Sequence, residues 1–256
     1  MDTGKIPEIP GFELVKRCGT GRSCEVWLGL DRYGEQYAVR VVNKKCGDPL
    51  LEAERRAVHL YLPLSRGHAN LLKILDHGET PDCLYSIMEP ADNISCGYER
   101  YEPDTLDRRL KRNRLTTTGI LKCLESILSG IQYLHECGMA HGDLKPENIM
   151  FVGRVLKIGD PGLVSSSKSC SPGGTAGFRP PWKAQGKERD IYAFGKMVYM
   201  LCTQEKPQCF PEIPARCDLS SIMPLNEIAL GCCEYDPHRR FRDADEIRRA
   251  LRRVRW

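Results

Sequence analysis

Four polar residues in the second half of the sequence have the types and spacing that phosphoryl transfer requires. In the stretch HGDLKPENIM, Asp143 and Asn148 stand five residues apart with Lys145 between them, so a carboxylate and an amide oxygen can converge on one site. The stretch KIGDPGLV adds Asp160 just after an apolar run. Phosphoryl transfer needs metal-binding oxygens and a carboxylate aimed at the attacking hydroxyl. The combined spacing is more specific than any single residue, and the plainer alternative is a polar loop followed by a turn.

A glycine-containing turn in the first half of the sequence could contact phosphate groups. The stretch GTGRSCEV, residues 19–26, leaves one apparent strand, turns on two glycines and enters another strand. Such a turn can place backbone N–H groups over phosphate oxygens. Two glycines in a turn are also typical of an ordinary hairpin, so this signal is weak on its own.

The elements that would position the glycine turn are strands. Aromatic and β-branched residues fill short segments separated by turns such as DRYGE, and this pattern predicts β-structure. The predicted strands are FELVKRC, CEVWLGL, QYAVRVV, LLKILDHG and CLYSIMEP. Between the third and the fourth, PLLEAERRAVHLYLPL has apolar residues at helical spacing and early acids, which predicts a helix.

The elements that would position the polar residues are mainly helices. The composition shifts from strand-rich to helix-rich near MEPADN, which predicts a boundary between two lobes. The segment TTTGILKCLESILSGIQYLHECG opens with threonines that can cap a helix, keeps an apolar stripe and ends at a glycine. The further predicted helices are ERDIYAFGKMVYMLC, SSIMPLNEIALGCC and DADEIRRALRRVRW.

Length and composition narrow the class of protein. The chain has 256 residues, of which 41% are hydrophobic and 28% charged, so we expect one large domain or two packed lobes with a real core. A net charge of +4 calls for neither nucleic acid nor a membrane as partner. The 13 cysteines include no CxxC pair and are expected to be reduced, and no secretory signal is visible, which predicts a cytoplasmic location.

In their order along the chain, these motifs resemble those of the eukaryotic-type protein kinase superfamily, from about residue 12 to residue 251. GTGRSCEV is similar to G-x-G-x-x-G-x-V, YAVRVV to V-A-I-K, and HGDLKPEN to H-R-D-L-K-x-x-N. GDPGL stands in the place of D-F-G, GTAGFRPPW in that of G-T-x-x-Y-x-A-P-E, and DIYAFG in that of D-x-W-S-x-G. The loop with Lys145 is similar to that of Ser/Thr kinases rather than Tyr kinases. The insertion ADNISCGYERYEPDTL resembles that of a bacterial branch of the kinase superfamily.

The resemblance implies an α+β, bilobal, protein-kinase-like fold. The N-lobe would carry a five-stranded antiparallel sheet plus one helix, and the C-lobe would be mainly helical. A single kinase domain over residues 1–256 would divide into the N-lobe (12–89), the hinge (90–92) and the C-lobe (93–256). ATP would bind between the lobes with Mg²⁺, or alternatively Mn²⁺, and the partner would be a protein substrate or a regulated protein.

The resemblance also implies a role for each matching residue. Asp143 would orient or deprotonate the substrate hydroxyl, and Lys145 would neutralise the transferring phosphoryl group. Asn148 and Asp160 would hold the metal. The residues implied in ATP binding are Gly19, Gly21, Val26, Ala38, Arg40, Glu54, Met88, Glu89 and Ala91.

The acid of the N-lobe helix and the adenine-contacting residues can be assigned to particular positions. Glu54 is preferred to Glu52 as the acid of the N-lobe helix, because Val58 and Tyr61 then fall on the same inward face. At the end of the N-lobe and the start of the hinge, the backbone groups of Glu89 and Ala91 would meet adenine, while Met88 would line the back of the pocket.

Several residues depart from the family pattern. Arg40 stands in place of the phosphate-anchoring lysine, and its planar fork is a poor substitute for a compact ammonium, so we expect ATP binding to be retained and turnover to be attenuated. Pro161 replaces the phenylalanine of D-F-G and is expected to push Asp160 towards extended geometry. Trp182 replaces the glutamate of A-P-E, so Arg240 is expected to lose its ion-pair partner.

Three functions therefore stay open. The first is a Ser/Thr protein kinase, possible because Asp143, Asn148 and Asp160 are intact. The second is a catalytically weak or inactive pseudokinase that acts as a nucleotide-dependent binding module, favoured by Arg40, Pro161 and a cysteine at the third glycine position. The third is a small-molecule phosphotransferase, because HGD followed by asparagine is also similar to aminoglycoside kinases.

Overall fold

The structure is a computed structural model, and it describes residues 6–21, 24–44, 48–95, 100–112, 115–160, 164–168 and 174–254. Within these ranges the chain forms a strand-rich lobe followed by a helical lobe. No helix among the described residues has both the length and the apolar character needed to cross a membrane. Every cysteine in the described ranges is a free thiol, in line with the expected reduced state.

The N-lobe contains one antiparallel sheet of five strands in the spatial order β1-β2-β3-β5-β4. The strands are β1 (Phe12–Thr20), β2 (Cys24–Asp31), β3 (Gln36–Asn43), β4 (Ile74–Glu79) and β5 (Cys83–Met88). One helix, α1 (Asp48–Ser65), lies between β3 and β4 in the chain. The predicted five-stranded sheet with a single helix is confirmed.

Alternation along β3 decides which side chains face the space between the lobes. Successive strand residues point to opposite faces of a sheet. Val39 and Val41 are buried in a small apolar cluster on one face, together with Leu14. Ala38 and Arg40 therefore face the other side, where a cavity lies. The strand period alone thus places the basic residue of YAVRVV in the interior of the molecule.

Helix α1 turns its inward face to both lobes. Glu54, Val58 and Tyr61 are all buried, as expected from their spacing of four and three residues. The Tyr61 hydroxyl donates a hydrogen bond to the carbonyl oxygen of Ile158, 2.9 Å away in the C-lobe. Glu52, the alternative acid, keeps 60% of its side chain exposed. The preference for Glu54 as the inward acid agrees with this geometry.

The C-lobe consists of five helices and two short strand pairs among its described residues. The helices are α2 (Leu106–Arg112), α3 (Thr117–Glu136), α4 (Gly186–Thr203), α5 (Leu219–Cys233) and α6 (Ala244–Leu251). The strands are β6 (Met139–Ala140), β7 (Ile149–Val152), β8 (Val155–Ile158) and β9 (Ser165–Ser166). Nearly every side chain of α4 is buried, so this helix forms the centre of the lobe.

Two helices differ from the sequence prediction. No helical pattern predicts α2, because seven residues hardly reveal a period of 3.6. The helix predicted over DADEIRRALRRVRW is shorter than expected, since α6 ends at Leu251 and Arg252 caps it. The arginines that follow therefore add no further helical turn within the described residues.

Candidate active site

A cavity of about 380 Å³ lies between the two lobes. Its upper wall comes from β1, β2 and β3, its inner wall from the end of β5, and its floor from the loop between β6 and β7. Ten residues expected at the site line it: Gly19, Gly21, Val26, Ala38, Arg40, Met88, Ala91, Lys145, Asn148 and Asp160. Residues far apart in sequence thus meet around one space of a size suited to a small ligand.

Three expected residues do not line the cavity directly. Glu54 reaches the site through an ion pair with Arg40. Asp143 lies beside the cavity, bonded to residues that line it. The carboxylate of Glu89 accepts a hydrogen bond from Lys157 Nζ at 2.7 Å, so this side chain serves the contact between the lobes.

Asp143 is held by a compact set of hydrogen bonds. Lys145 Nζ donates to Asp143 Oδ2 at 2.7 Å, and both the backbone N–H and the hydroxyl of Thr175 donate to Asp143 Oδ1 at 2.8 Å. Lys145 Nζ also donates to Thr175 Oγ1 at 2.8 Å. Burial raises the pKa of Asp143, but the bonds from Lys145 and Thr175 outweigh it, so its pKa lies below the usual value. The group is therefore an ionised carboxylate with a fixed orientation.

The loop that carries Asp143 is fixed from below by a buried acid of α4. Asp190 accepts hydrogen bonds from the backbone N–H groups of His141 and Gly142, both at 2.8 Å, and lies 2.9 Å from His135 Nε2. His141 is fully buried and its Nε2 contacts the carbonyl oxygen of Gly159 at 2.7 Å. These contacts give His141 a bracing position rather than one facing the cavity.

Gly142 suits its place in this loop. Its φ is +81°, in the left-handed region that side chains with a Cβ rarely adopt. Its carbonyl oxygen accepts a hydrogen bond from Arg189 Nη2 at 2.9 Å, and Arg189 is itself buried. The glycine that replaces the family arginine thus avoids backbone strain, and an arginine from α4 contacts the loop instead.

Asn148 and Asp160 have the donor atoms that a divalent cation needs, with one competitor. The Asn148 amide nitrogen donates to the Asp143 carbonyl oxygen at 2.8 Å, which leaves the amide oxygen as the atom for a cation. Asp160 Oδ1 lies 3.3 Å from Arg40 Nε. Hard cations prefer such oxygens, so the pair fits Mg²⁺ or Mn²⁺, although Arg40 already shares the charge of Asp160.

The backbone of Asp160 differs from its expected geometry. Its φ is +58°, in the left-handed region, so the expectation of an extended Asp160 is wrong. Aspartate is one of the few residues with a Cβ that tolerate this region, because its short polar side chain can hydrogen-bond locally. The preference imposed by a following proline is therefore overridden by the surrounding structure. Pro161 itself lies outside the described residues.

Arg40 forms ion pairs with two acidic residues, Glu54 and Asp160. Its Nη1 and Nη2 donate to the two carboxylate oxygens of Glu54 at 2.6 and 2.9 Å, and only 5% of the residue is exposed. Its Nε faces Asp160 as an ion pair without hydrogen-bond angles. Burial lowers the pKa of Arg40, but the charges of Asp160 and Glu54 raise it above its ordinary value. Both terminal nitrogens therefore point to Glu54, where a phosphate ligand would have to compete.

Two cysteines line the upper part of the cavity, Cys18 and Cys24. Burial raises the pKa of both thiols above the usual value, even though Arg40 lowers that of Cys24. Both are therefore protonated at neutral pH and have low nucleophilicity. Cys24, at the third glycine position of the loop, also carries no positive charge, so it does not replace the phosphate-anchoring lysine whose place Arg40 occupies.

The expected loss of an ion pair at Arg240 is wrong. Arg240 Nη2 donates to Glu188 Oε1 at 2.7 Å, and its guanidinium lies 4.4 Å from the centroid of the Trp182 ring. Glu188 stands in the first turn of α4, six residues beyond the tryptophan. A neighbouring acid and a cation–π contact thus take over the role of the missing glutamate.

Sequence reasoning missed part of the cavity wall. Tyr101, Pro103 and Arg108 line it, and all three belong to or follow the insertion behind the predicted hinge. The insertion was recognisable in the sequence, but its fold was not. The return of the inserted chain to the cavity is visible in its backbone hydrogen bonds, which the sequence does not reveal.

Comparison with known proteins agrees with this site. The family model described as "Protein kinase domain" matches residues 12–221. A calcium/calmodulin-dependent protein kinase of Emericella nidulans is 30% identical over 78% of this chain and 48% of its own length. A probable serine/threonine-protein kinase of Streptomyces coelicolor is 27% identical over 93% of this chain and 39% of its own. A serine/threonine-protein kinase of Schizosaccharomyces pombe is 28% identical over 79% and 42%.

The extent of these matches settles the family but not the whole-protein activity. The chain spans less than half the length of each of these three relatives. The matched region nevertheless includes the glycine turn, Arg40, the loop with Asp143, and Asp160. With its two-lobed fold and its cleft, the chain belongs to the protein kinase domain family.

Proposed function

We propose that this chain transfers the γ-phosphoryl group of ATP to serine or threonine hydroxyls of protein substrates. The observation that carries the proposal is the fixed, ionised Asp143 at the edge of the cavity, bonded to both Lys145 and Thr175. A phosphoryl-transfer site acts mainly by positioning and by electrostatic stabilisation. A rigid carboxylate with a cation beside it is suited to both tasks.

The residues divide the work as follows. Asp143 accepts a hydrogen bond from the substrate hydroxyl and orients it for attack. Lys145, 2.7 Å from that carboxylate, offsets the negative charge that spreads over the transferred group. Asn148 and Asp160 would hold Mg²⁺ or Mn²⁺, which when bound would supply positive charge to offset that of the phosphates.

The nucleotide would occupy the cavity with its base against the end of β5. Ala38 and Val26 line the upper wall and Met88 the inner wall, so these side chains offer apolar contact to a base. The backbone groups of Glu89 and Ala91 would meet the polar edge of adenine. Gly19 and Gly21 would let the turn between β1 and β2 approach the phosphates closely.

A protein hydroxyl is the favoured acceptor of the phosphoryl group. Lys145 follows the Ser/Thr pattern, and the relatives from Streptomyces coelicolor and Schizosaccharomyces pombe carry serine/threonine-protein kinase names. We further propose that residues 1–256 act as one kinase domain of the bacterial type, with the lobe limits 12–89, 90–92 and 93–256, in the cytoplasm. Nothing in the charge of +4 favours nucleic acid or a membrane as partner.

A second candidate, a pseudokinase that binds nucleotide and regulates a partner protein, is favoured by one observation. Both terminal nitrogens of Arg40 donate hydrogen bonds to Glu54, and its Nε lies beside Asp160. A guanidinium held in this way has less freedom to follow phosphate groups than a lysine ammonium. The same arginine also competes with the cation for Asp160.

Reversion of the arginine separates the two candidates. With Arg40→Lys, transfer of labelled phosphate from ATP to a generic basic protein is expected to rise about 10- to 100-fold, because a displaced positioning group costs on that order. Arg40→Met, which removes the charge, is the matched control and should lower transfer. Absence of transfer in both the unaltered protein and Arg40→Lys, each shown to be folded and to bind ATP, would favour the pseudokinase.

A further inference from the structure

The chain behind β5 forms a hairpin that closes one side of the cavity. Ile94 N donates a hydrogen bond to the Glu102 carbonyl oxygen at 3.1 Å, and Asp104 N donates to the Asp92 carbonyl oxygen at 2.8 Å. We call the two paired arms, residues 92–95 and 100–104, the hinge hairpin. Its returning arm passes directly beside the cavity.

Tyr101 of the hinge hairpin occupies a backbone acceptor inside the cavity wall. Its hydroxyl donates a hydrogen bond to the Ala91 carbonyl oxygen at 2.9 Å. Tyr101 is 3% exposed and Ala91 is 6% exposed, yet both line the cavity. Ala91 lies three residues beyond Met88, in the segment where the polar edge of a base would lie. The hydroxyl therefore takes one lone pair of an acceptor that a bound base could use.

Adenine and guanine differ in the hydrogen-bond donors that they present to such an acceptor. The edge of adenine offers an amino donor at N6 and an acceptor at N1. Guanine offers an acceptor at O6 and donors at N1 and at its 2-amino group. Guanine thus brings more donors to the wall, and a buried donor without a partner lowers affinity by about 10- to 100-fold. A site with fewer open acceptors should reject guanine more strongly than adenine.

The Tyr101 side chain also forms part of the cavity wall in this region. Burial raises the pKa of Tyr101, so its hydroxyl stays protonated and keeps donating across the whole neutral range. Pro103 and Arg108, which follow on the same arm and on α2, line the cavity next to it. The 2-amino group of guanine would need an acceptor in this wall, and the Tyr101 hydroxyl already bonds to the Ala91 carbonyl oxygen.

We propose that Tyr101 determines the base selectivity of the nucleotide site, favouring adenine over guanine by holding the Ala91 carbonyl oxygen. The selectivity rests on the proposed function, because it concerns which nucleotide enters the same cavity. Tyr101 touches the base-binding wall and not the reacting phosphates. Its effect should therefore fall on nucleotide choice rather than on the chemical step.

The test compares ATP and GTP binding to Tyr101→Phe by isothermal titration calorimetry. The substitution removes the hydroxyl, keeps the ring and frees the Ala91 acceptor. The ratio of the GTP and ATP dissociation constants is expected to fall about 10-fold, in step with one regained hydrogen bond. Tyr199→Phe is the matched control, since its buried hydroxyl donates to the Glu212 carbonyl oxygen at 2.6 Å away from the cavity. Tyr199→Phe should leave the ratio of the GTP and ATP dissociation constants unchanged.

A second measurement needs no variant. Inosine triphosphate has the guanine edge without the 2-amino group, so the unaltered protein should bind ATP most tightly, inosine triphosphate next and GTP least. Equal affinities for ATP and GTP, or an unchanged ratio in a folded Tyr101→Phe protein, would overturn the selectivity and leave the proposed function standing. Failure of the unaltered protein to bind any of the three nucleotides would instead contradict the proposed nucleotide site.

Discussion

At the scale of single residues, Asp143 and its partners define what the site can do. The carboxylate receives two hydrogen bonds from Thr175 and one from Lys145, all between 2.7 and 2.8 Å. Three donors on one carboxylate restrict its rotation and favour its charged form. In the proposed reaction, Thr175 would therefore be a positioning residue that acts on the substrate hydroxyl through Asp143.

Substitution of the threonine hydroxyl should weaken catalysis. Thr175→Val keeps the shape and the backbone N–H bond to Asp143 but removes the hydroxyl's bonds to Asp143 and Lys145, so we expect transfer to fall about 10- to 100-fold. The pKa of Asp143 should rise, because a bond that lowers it is lost, and the acidic limb of the pH–rate profile should move to higher pH. Thr175→Ser should restore both. An unshifted profile in Thr175→Val would contradict the positioning role.

The motif residues could be predicted from sequence, but their pairing could not. The spacing of Asp143, Lys145 and Asn148 indicates a shared site before any coordinates are known. By contrast, the ion pair of Arg240 with Glu188 and the contact of its guanidinium with the Trp182 ring arise only in the folded chain. A motif comparison looks for the family's glutamate at the position of Trp182, so it does not find Glu188, which pairs with Arg240 instead.

At the scale of elements, α4 fixes the loop that carries Asp143 from inside the C-lobe. Its buried Asp190 accepts bonds from the His141 and Gly142 N–H groups and contacts His135 of α3. Burial raises the pKa of Asp190, but its bonds and the nearby histidines outweigh this and hold it below its usual 3.8. One carboxylate thus joins two helices to the loop that carries Asp143.

Loss of this charge should destabilise the protein in a pH-dependent way. Asp190→Asn is expected to lower the free energy of unfolding at pH 7 by about 3 kcal/mol, because the remaining donors are left poorly paired. Since the folded pKa is depressed, the stabilisation is present above pH 3.8 and is lost as the pH falls through the folded pKa. Urea denaturation at pH 7 and at pH values below 3.8 measures the difference in free energy of unfolding between the unaltered protein and Asp190→Asn.

Asp82→Asn is the control for this experiment, because Asp82 is exposed and should change stability by less than about 0.5 kcal/mol. A cost of Asp190→Asn that stays below that of the control at pH 7 would contradict the central role of the acid. Catalysis should fall as well, since the loop with Asp143 loses its support.

Element prediction from sequence succeeds where the pattern is long and fails where it is short. The 20 residues of α3 carry an apolar stripe that predicts a helix, whereas the seven of α2 do not. The hinge hairpin escapes prediction because its pairing joins residues in a polar stretch without alternation. The cavity wall at Tyr101 was therefore invisible in the sequence.

At the scale of the whole molecule, buried contacts join the two lobes behind the cavity. Lys157 of β8 donates to Glu89 at 2.7 Å, and 8% of the Lys157 side chain is exposed. The Tyr61 hydroxyl of α1 reaches the Ile158 carbonyl oxygen next to it in the chain. The order of motifs along the sequence predicted two lobes, but which side chains connect them depends on tertiary structure.

Removal of the lysine should loosen this connection. Lys157→Met is expected to lower the free energy of unfolding by about 2 to 3 kcal/mol, because it leaves the partly buried Glu89 carboxylate without its closest cation. Lys73→Met is the matched control, since Lys73 approaches the same carboxylate at 3.8 Å with 45% of its side chain exposed. The control should cost less than about 1 kcal/mol. Equal costs in urea denaturation would contradict a structural role for the buried pair.

The measurement that tests the central claim most directly is phosphate incorporation followed by mass spectrometry of intact protein and peptides. The unaltered chain and Asp143→Asn are incubated with ATP and Mg²⁺ or Mn²⁺, together with a generic basic protein. We predict phosphate on serine or threonine with the unaltered chain and none with Asp143→Asn, which would establish transfer through Asp143 despite Arg40. Phosphate in neither reaction, from folded protein, would contradict the kinase proposal.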